Sequence, residues 1–306
     1  MQTDRHALPG FYRIAQGLRI SSIGIGTYRG ARDPATDASY LAALRTAFRG
    51  GIRLVDTAIV YRDQQCERLV GTAIREFLEN GDGTRDDLVV CTKGGYIVPQ
   101  DDTREVAEMH CIEPAFLAGQ LSRSLRNLGL TTIDVYYIHN PEVQLRALSA
   151  RKFLGRMRRA FECLEAAVSR GAIRYYGAAT WPGLIDGMLS LPALADAARD
   201  VAGDGHHFRF IQLPFNLETQ EALNGGVLQE AAERGMTVVA SAPLGQGSLA
   251  ADLACALQFA RSAPGIAAAL VGMSSSQHVE EALAVAVQPP LTPGEFDRLR
   301  KVGVHA

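Results

Sequence analysis

Four side chains able to transfer a proton or hold a charge follow apolar stretches of this sequence. Asp56 and Tyr61 begin and end the segment D-T-A-I-V-Y, Lys93 lies in C-T-K-G-G, and His139 lies in Y-Y-I-H-N-P. A carboxylate, a phenol, an ammonium and an imidazole are groups that proteins use for general acid-base catalysis. Because each follows a strand-like stretch, we expect all four at the carboxyl edge of a parallel sheet, where catalytic residues gather.

Apolar stretches that could position these residues recur roughly every 30 to 40 residues, as in repeated βα units. Helical periodicity between them predicts amphipathic helices, for example over Glu67 to Leu78 and Phe153 to Val168. Gly51 and Gly171 fit C-caps ahead of new strands. Eight stretches are predicted as parallel strands: Ile20 to Gly26, Ile52 to Ala58, Leu88 to Thr92, Ile133 to Ile138, Ile173 to Ala178, Phe208 to Leu213, Met236 to Ala240 and Ala267 to Val271.

These eight units fill nearly all of the 306 residues, and no linker rich in Pro, Gly and Ser divides them. The predicted fold is therefore a single α/β domain over residues 1–306, a (β/α)8 TIM barrel, with a doubly wound sheet as the alternative. Short alternating stretches around Gly17, within Phe11 to Ile20, predict an N-terminal β-hairpin that closes the barrel floor. Two stretches at the carboxyl edge, Tyr96 to Glu113 and Trp181 to His207, are predicted as long loops that shape a substrate pocket.

Composition argues against several classes of function. Lys and Arg number 31 and Asp and Glu number 33, giving a formal net charge of -2, so no basic surface for nucleic acid is expected. The five cysteines are scattered without a C-x-x-C pair, which favours a reducing cytoplasm. We expect neither a secretory signal nor a membrane span, because the sequence lacks apolar runs of the required kind. No metal site is predicted, since no H-x-H pair or carboxylate cluster has ligand spacing.

The motifs together resemble those of the aldo-keto reductase family, and the likeness covers essentially the whole chain. Asp56 to Tyr61 is similar to the family's D-T-A-x-x-Y, Lys93 to its strand-end T-K, and His139 to its active-site histidine. The resemblance implies a catalytic tetrad and NAD(P)H-dependent reduction of an aldehyde or ketone to an alcohol, or the reverse reaction. Each residue alone has a structural explanation, but four matches in register favour the catalytic one.

Carbonyl reduction explains why these four residue types would be placed together. Hydride delivery builds negative charge on the carbonyl oxygen, and Tyr61 is the expected proton donor. A free phenol has a pKa near 10, and the ammonium of Lys93 is expected to bring that pKa toward the working pH. Asp56 would keep Lys93 charged, and His139 would donate a hydrogen bond that orients the carbonyl oxygen.

The resemblance also implies a dinucleotide site, in which Gln212 would bond the nicotinamide carboxamide and Pro243 to Gly247 would wrap the pyrophosphate through backbone amides. The site departs from the family pattern in several places. Thr180 replaces the Asn that usually touches the nicotinamide carboxamide, and Ser241 stands where an aromatic ring often stacks, with Trp181 as the candidate substitute. The usual cations for the adenosine 2'-phosphate are absent; serine hydroxyls and helix amides could hold the phosphate instead, or the serines could cap the helix. NADP(H) is expected, and NAD(H) stays open. The predicted cofactor residues are Gly26, Thr27, Tyr28, Asp56, Thr180, Gln212, Ser241, Pro243, Leu244, Gly245, Gln246, Gly247, Gly272, Ser274, Ser275, Ser276, His278 and Glu281.

Two other functions stay open from the sequence. The same barrel could be a cofactor-binding regulatory subunit with little turnover, like relatives that are partners of ion channels, although the complete tetrad argues against it. A non-redox barrel enzyme, either a phosphate-handling isomerase or a metal hydrolase, is the other alternative. The expected partner is a small carbonyl or alcohol substrate, with neither nucleic acid nor membrane, and a monomer is slightly favoured while the oligomeric state stays open.

Overall fold

Ten β-strands form two sheets in the part of the chain that the computed structural model describes, residues 9–98 and 109–302. Strands β1 (Tyr12–Ala15) and β2 (Leu18–Ser21) pair antiparallel as a hairpin. The remaining strands are parallel and close into a barrel, in the order β10-β3-β4-β5-β6-β7-β8-β9. Their bounds are β3 (Ile23–Gly26), β4 (Leu54–Asp56), β5 (Val89–Gly94), β6 (Ile133–His139), β7 (Ile173–Ala179), β8 (Phe208–Pro214), β9 (Thr237–Ser241) and β10 (Ile266–Gly272).

Helices alternate with the barrel strands, and their apolar faces share one large buried cluster with the outward-facing side chains of the strands. Among the helices that the structure describes, none is long and apolar enough to cross a membrane. They are α1 (Pro34–Arg49), α2 (Gln65–Glu79), α3 (Pro114–Leu128), α4 (Ala150–Ser169), α5 (Leu191–Ala202), α6 (Glu221–Asn224), α7 (Val227–Glu233), α8 (Leu253–Ser262), α9 (Ser276–Ala286) and α10 (Pro293–Val302).

Helix ends occur at the signals that the sequence carries. Asp33 caps α1 by accepting a hydrogen bond from the backbone amide of Thr36 at 2.7 Å. Gly51 and Gly171, with φ of +88° and +71°, adopt left-handed backbone just beyond α1 and α4. Because glycine adopts this conformation without a steric penalty, both glycines end their helices as predicted.

The hairpin closes the amino-terminal end of the barrel. Ala15, Leu18 and Ile20 belong to one buried apolar cluster with Leu54 and Val89, which are the first residues of β4 and β5. These strand starts would be open to water without the hairpin, so its apolar side chains stabilise the barrel by burial. The predicted (β/α)8 barrel and hairpin floor are both confirmed, and the doubly wound sheet is excluded.

Two predicted segments differ from the structure. The stretch Ile20 to Gly26, predicted as one strand, is divided at Ser22 between β2 in the hairpin and β3 in the barrel. The predicted loop from Trp181 to His207 is wrong, because it contains α5, which Ser190 caps through the amide of Ala193 at 3.2 Å. Of the loop predicted over residues 96–113, the part from 99 to 108 lies outside the described residues.

Candidate active site

A buried ion pair joins β4 and β5 at the carboxyl edge of the barrel. Asp56 is the last residue of β4, and Lys93 is next to last in β5. Nζ of Lys93 lies 2.5 Å from Oδ2 of Asp56 and donates to the carbonyl oxygen of Thr57 at 2.9 Å. Burial lowers the pKa of Lys93, but its interactions with Asp56 and Tyr61 raise it by more, so the net pKa lies above the ordinary value. Lys93 is therefore an ammonium at neutral pH.

Tyr61 lies beside this ion pair, with the centre of its ring 4.9 Å from Nζ of Lys93. Burial raises the pKa of Tyr61 to about 12, although Lys93 lowers it. Lys93 thus lowers the pKa of Tyr61, as predicted. The predicted net decrease of this pKa is wrong for the protein without bound ligands, because burial and the negative charge of Asp56 raise the pKa by more than the ammonium lowers it. The phenol consequently keeps its proton at neutral pH.

A left-handed turn follows Tyr61 and leads into α2. The backbone of residues 62–64 has φ of +46°, +60° and +70°, although none of the three is glycine. Left-handed backbone is costly for residues with a Cβ atom. The buried side chain of Arg62 holds the turn, since its Nε donates to the carbonyl oxygen of Ala31 at 2.7 Å and its guanidinium to Oδ1 of Asp37 at 2.6 Å. The ion pair of Arg62 with Asp37 is not predicted from the sequence, because no local motif indicates a contact between these two segments.

His139 ends β6 on the other side of Tyr61. The two ring centroids are 5.8 Å apart and the rings are nearly perpendicular. The Tyr96 ring packs edge-on against His139 at 4.9 Å. Burial, followed by the positive charge of Lys93 and by His110, holds the pKa of His139 well below its ordinary value. Its Nδ1 is buried without a hydrogen-bond partner among the residues described. The neutral imidazole has one N–H to donate.

The structure therefore brings all four predicted catalytic side chains to one edge of the barrel. Gln212 on β8 joins them, because its Nε2 donates to Oδ1 of Asp56 at 2.9 Å. Asp56 thus accepts from Lys93 on one carboxylate oxygen and from Gln212 on the other. This arrangement can hold an ammonium next to a protonated phenol, with a neutral imidazole facing the phenol.

Thr180 and Gln212, both predicted to hold the nicotinamide carboxamide, lie next to each other. The Thr180 amide donates to the Gln212 carbonyl oxygen at 2.8 Å. Oγ1 of Thr180 is buried and has no hydrogen-bond partner within the described part of the chain. Trp181 is 42% exposed, and its amide donates to Oε1 of Glu142 at 2.8 Å. Ser241 ends β9 at the same edge. An unpaired buried hydroxyl here fits a polar ligand group.

The cofactor residues predicted at the end of β3 and directly after it lie on the Tyr61 side of this edge. Gly26 is the last residue of β3 and pairs in register with Asp56. Thr27 is buried, and its hydroxyl lies 3.0 Å from that of Thr57. Tyr28 is 65% exposed, with its ring centroid 5.0 Å from that of Tyr61. Tyr28 therefore borders the entrance to the site.

The loop predicted to hold the pyrophosphate, Pro243 to Gly247, is a tight turn after β9. The amides of Gly245 and Gly247 donate inside the turn, to Ala242 at 3.0 Å and to Leu244 at 2.8 Å. Two of the backbone amides expected to bind the pyrophosphate therefore already have partners within the turn. Arg29, exposed in the loop before α1, donates to Oε1 of Gln246 at 3.3 Å, which links two loops across the barrel mouth.

The residues predicted for the adenosine end lie between β10 and α9, and several bond to neighbouring protein groups. Oγ of Ser275 caps α9 through the amide of His278 at 3.3 Å. The Ser276 hydroxyl accepts from Thr46 at 2.9 Å. In the same region, Glu281 accepts from Gln277, the carbonyl of Ser274 accepts from Ser39, and Gly272 is exposed. The helix-cap alternative therefore holds for Ser275.

Comparison with known proteins agrees with this geometry. Residues 22–254 match the Aldo/keto reductase family. Among solved structures, an aldo/keto reductase from Klebsiella pneumoniae in complex with NADP and acetate is 23% identical with a TM-score of 0.72, covering 96% of this chain and 95% of that chain. An aldo-keto reductase from Bacillus halodurans in its holo form is 19% identical with a TM-score of 0.73, covering 95% of each chain.

A curated relative, prostaglandin F synthase 1 of Bos taurus, is 30% identical over 129 residues, which are 42% of this chain and 34% of that protein. The match thus spans about a third of that relative's length. The solved structures establish the shared fold, and the family match covers most of the chain. The chain therefore belongs to the aldo/keto reductase family, whose members are NAD(P)-dependent oxidoreductases.

Proposed function

We propose that this protein catalyses the NADP(H)-dependent reduction of an aldehyde or ketone to an alcohol, or the reverse reaction. The observation that carries the proposal is the convergence of Tyr61, Lys93 and His139 at the carboxyl edge of the barrel. A protonated phenol and a neutral imidazole facing each other can both donate to one carbonyl oxygen. No other described residue needs to move a proton in this scheme.

Tyr61 is the proposed general acid in the reductive direction. Its raised pKa keeps the phenol protonated until a carbonyl oxygen gains negative charge. Transfer of the phenolic proton to that oxygen leaves a phenolate beside the ammonium of Lys93, which stabilises it. Asp56 keeps Lys93 charged and in place, so the ion pair acts through Tyr61.

His139 is the proposed orienting donor. Because burial and Lys93 keep its imidazole neutral, only one of its nitrogens carries a proton. A proton on Nε2 would give a donor to the substrate oxygen while Nδ1 stays a buried acceptor. This donor and the Tyr61 phenol would fix the carbonyl in one orientation, which favours attack at one face.

The residues present fit the nicotinamide end of a dinucleotide. The unpaired hydroxyl of Thr180 would bond the carboxamide, and Gln212 beside it would hold the other side of the same group. Trp181 is exposed enough to supply the aromatic surface that Ser241 lacks. The rest of the cofactor would lie beside residues 26–28 and the 243–247 loop. When bound, the reduced cofactor supplies the hydride.

The preference between the two nicotinamide cofactors is part of the proposal. The Klebsiella pneumoniae structure contains NADP, which supports NADP(H) for this chain. The 272–281 segment of this chain contains no Lys or Arg, and Ser275 is committed to capping α9. We therefore propose that the chain uses NADP(H) and also accepts NAD(H), because the 2'-phosphate would gain few charge-assisted bonds.

We propose that the protein is a single-domain cytoplasmic enzyme that acts on a small carbonyl or alcohol. All five cysteines are free, which supports a reducing compartment. A disulfide detected by mass spectrometry in the protein isolated from cells would contradict this location. Whether the protein works as a monomer can be measured by light scattering.

Replacing Tyr61 with Phe tests the proposed function. Tyr61→Phe removes the proton donor and keeps the ring, so turnover of an aldehyde panel should fall about 100-fold to 10,000-fold while cofactor affinity changes little. Turnover is followed by nicotinamide absorbance and cofactor binding by protein fluorescence. Retained turnover would assign the proton to another group. A wild-type protein that binds cofactor but reduces no carbonyl would support the regulatory-subunit alternative.

A further inference from the structure

We propose that His110 is a positioning residue for His139. It holds the backbone carbonyl of His139 and thereby fixes the imidazole that orients the substrate. This inference rests on the proposed function, and nothing in the family motifs of the sequence points to it. His110 lies after the part of the 96–113 loop that is not described, and it forms an antiparallel bridge with Tyr96 at the edge of the active site.

A chain of hydrogen bonds determines which nitrogen of His110 carries its proton. A guanidinium nitrogen of Arg156 donates to Oε1 of Gln144 at 2.6 Å, so Nε2 of Gln144 must be the nitrogen that lies 2.9 Å from Nδ1 of His110. Because an amide nitrogen only donates, Nδ1 accepts and the proton lies on Nε2. Nε2 of His110 is 2.6 Å from the carbonyl oxygen of His139, which can only accept. Each bond in the chain therefore has one allowed direction, ending at His139.

The chain of bonds runs from the protein surface to the active site. Its outer end is a half-exposed ion pair, in which Nε of Arg156 lies 2.8 Å from Oε1 of Glu113 at the start of α3. Gln144 and His110 are both 2% exposed. Gln144 also donates to the carbonyl oxygen of His110 at 3.0 Å, which fixes the backbone as well as the ring. A buried donor held at both ends has little freedom to leave its acceptor.

Gly95 allows His110 to come this close. Its φ is +133°, and a Cβ atom at this position would lie 2.8 Å from Nε2 of His110 and 3.3 Å from the carbonyl oxygen of His139. The backbone of Gly95 is itself fixed, because its amide donates to Oε1 of Gln120 at 2.8 Å and its carbonyl accepts from Cys111 at 2.7 Å. The second glycine of C-T-K-G-G therefore makes room for the contact between the two histidines.

Tyr96 completes the coupling between the two histidine rings. Its ring lies edge-on to His110 and to His139, with both centroids 4.9 Å away. The Tyr96 hydroxyl accepts from Nδ2 of Asn140 at 3.0 Å, and the backbone of Asn140 is left-handed with φ of +47°. The strand thus ends abruptly at His139, and His110 and Tyr96 contact both its carbonyl and its ring. Loss of the His110 donor should let the strand end and the imidazole shift together.

The test compares three variants of the full-length protein. His110→Leu removes the donor and fills the space with an apolar side chain. His110→Gln places an amide nitrogen where Nε2 lies and so restores the donor. Met109→Ala alters the exposed neighbouring side chain and controls for any disturbance of the loop. Each variant is measured for kcat and KM toward an aldehyde, for the Kd of NADPH, for thermal unfolding, and for the imidazole NMR signals of His139, assigned by their loss in His139→Asn.

We expect His110→Leu to lower kcat about 10-fold to 100-fold, the effect of misplacing a catalytic group by roughly an ångström, and to shift the His139 signals. The Kd of NADPH should stay near the wild-type value, and His110→Gln should recover most of kcat and of the signal positions. Met109→Ala should behave as wild type. A His110→Leu variant with unchanged kcat and unchanged His139 signals would overturn the proposal.

A folded His110→Gln variant as impaired as His110→Leu would also overturn it, because the restored donor would then have no effect. If the Leu variant does not fold, His110→Gln is compared with Met109→Ala. Near-wild-type kcat and His139 signals in His110→Gln agree with a positioning donor. Losses of both in His110→Gln alone overturn the proposal. If the wild-type protein reduces no carbonyl, the proposed function fails, yet the NMR comparison still tests whether His110 positions His139.

Discussion

Lys93 and Asp56 form an ion pair with 2.5 Å between Nζ and Oδ2, and both side chains are almost fully buried. Neither charge is well solvated, so each depends on the other for its stabilisation. The pair also has neutral partners, since Lys93 donates to the carbonyl of Thr57 and Asp56 accepts from Gln212. Removing either charge therefore affects both the folding of the barrel and the electrostatics of Tyr61.

Asp56→Asn should destabilise the protein by about 3–5 kcal/mol, because it leaves the buried ammonium of Lys93 without its counter-charge. The free energy of unfolding in urea measures the loss. Asp63→Asn is the matched control, since Asp63 pairs with Arg32 at 3.0 Å on the surface and should lose less than about 1 kcal/mol. Equal losses in the two variants would show that the Asp56 pair contributes no more than a surface pair.

The two reaction directions should differ in how their rates depend on pH. Tyr61 carries its proton below its pKa of about 12, so the acid form persists and reduction should stay nearly constant from about pH 7 to about pH 9. Alcohol oxidation needs the phenolate, whose fraction grows about tenfold per pH unit below the pKa, so oxidation should speed up as pH rises. Measurements of kcat/KM in both directions check this. A reduction rate that already halves near neutral pH would show that cofactor or substrate lowers the pKa of Tyr61.

Gly177→Ala should destabilise the barrel strongly. An added Cβ would lie 2.0 Å from the carbonyl oxygen of Phe210 in the neighbouring strand, where only backbone movement can relieve the clash. A loss of about 3 kcal/mol is expected in urea unfolding. Gly155→Ala is the control, because Gly155 lies in α4 with open space around it and should gain about 0.5–1 kcal/mol from the better helix propensity of Ala. A neutral Gly177→Ala would mean that the strands adjust freely.

NADPH and NADH should bind with Kd values within about tenfold, a difference of about 1.4 kcal/mol. Fluorescence titration with each cofactor gives both values. Ser274→Lys adds a cation before α9 and should favour NADPH by about 1.5–3 kcal/mol, the contribution of one charge-assisted bond. Gln229→Lys, an exposed change on α7, controls for the added charge. A wild-type preference far above tenfold would show that helix amides and serines hold the phosphate well.

The barrel and the meeting of the tetrad could be predicted from sequence, because both follow from strand periodicity and from motif position. The α5 helix could also have been predicted, because Ser190 and Pro192 are ordinary helix-start signals and a run rich in Ala follows them. The prediction of a loop here comes from treating the whole segment between the two strands as one connection. Ser275 shows a different limit, since a serine before a helix fits a cap or a ligand contact until neighbouring amides are placed.

Other features of the site could not be predicted, because they depend on contacts between distant segments. The net pKa of Tyr61 reflects how burial compares with the charge of Lys93, and a sequence motif shows only the charge. The clamp between Arg62 and Asp37 joins the turn before α2 to α1. His110 reaches His139 because residues 109–111 pair antiparallel with residues 95–97, where Gly95 leaves room for the contact. Such contacts appear only once the chain has folded.

The hairpin floor has a consequence for how ligands enter. Since apolar side chains of the hairpin cover the starts of β4 and β5, we expect a ligand to reach the tetrad from the opposite, carboxyl edge of the barrel. A substrate that binds there must displace water from the tetrad, and we expect a bulky apolar carbonyl compound to displace more of it than a small polar one.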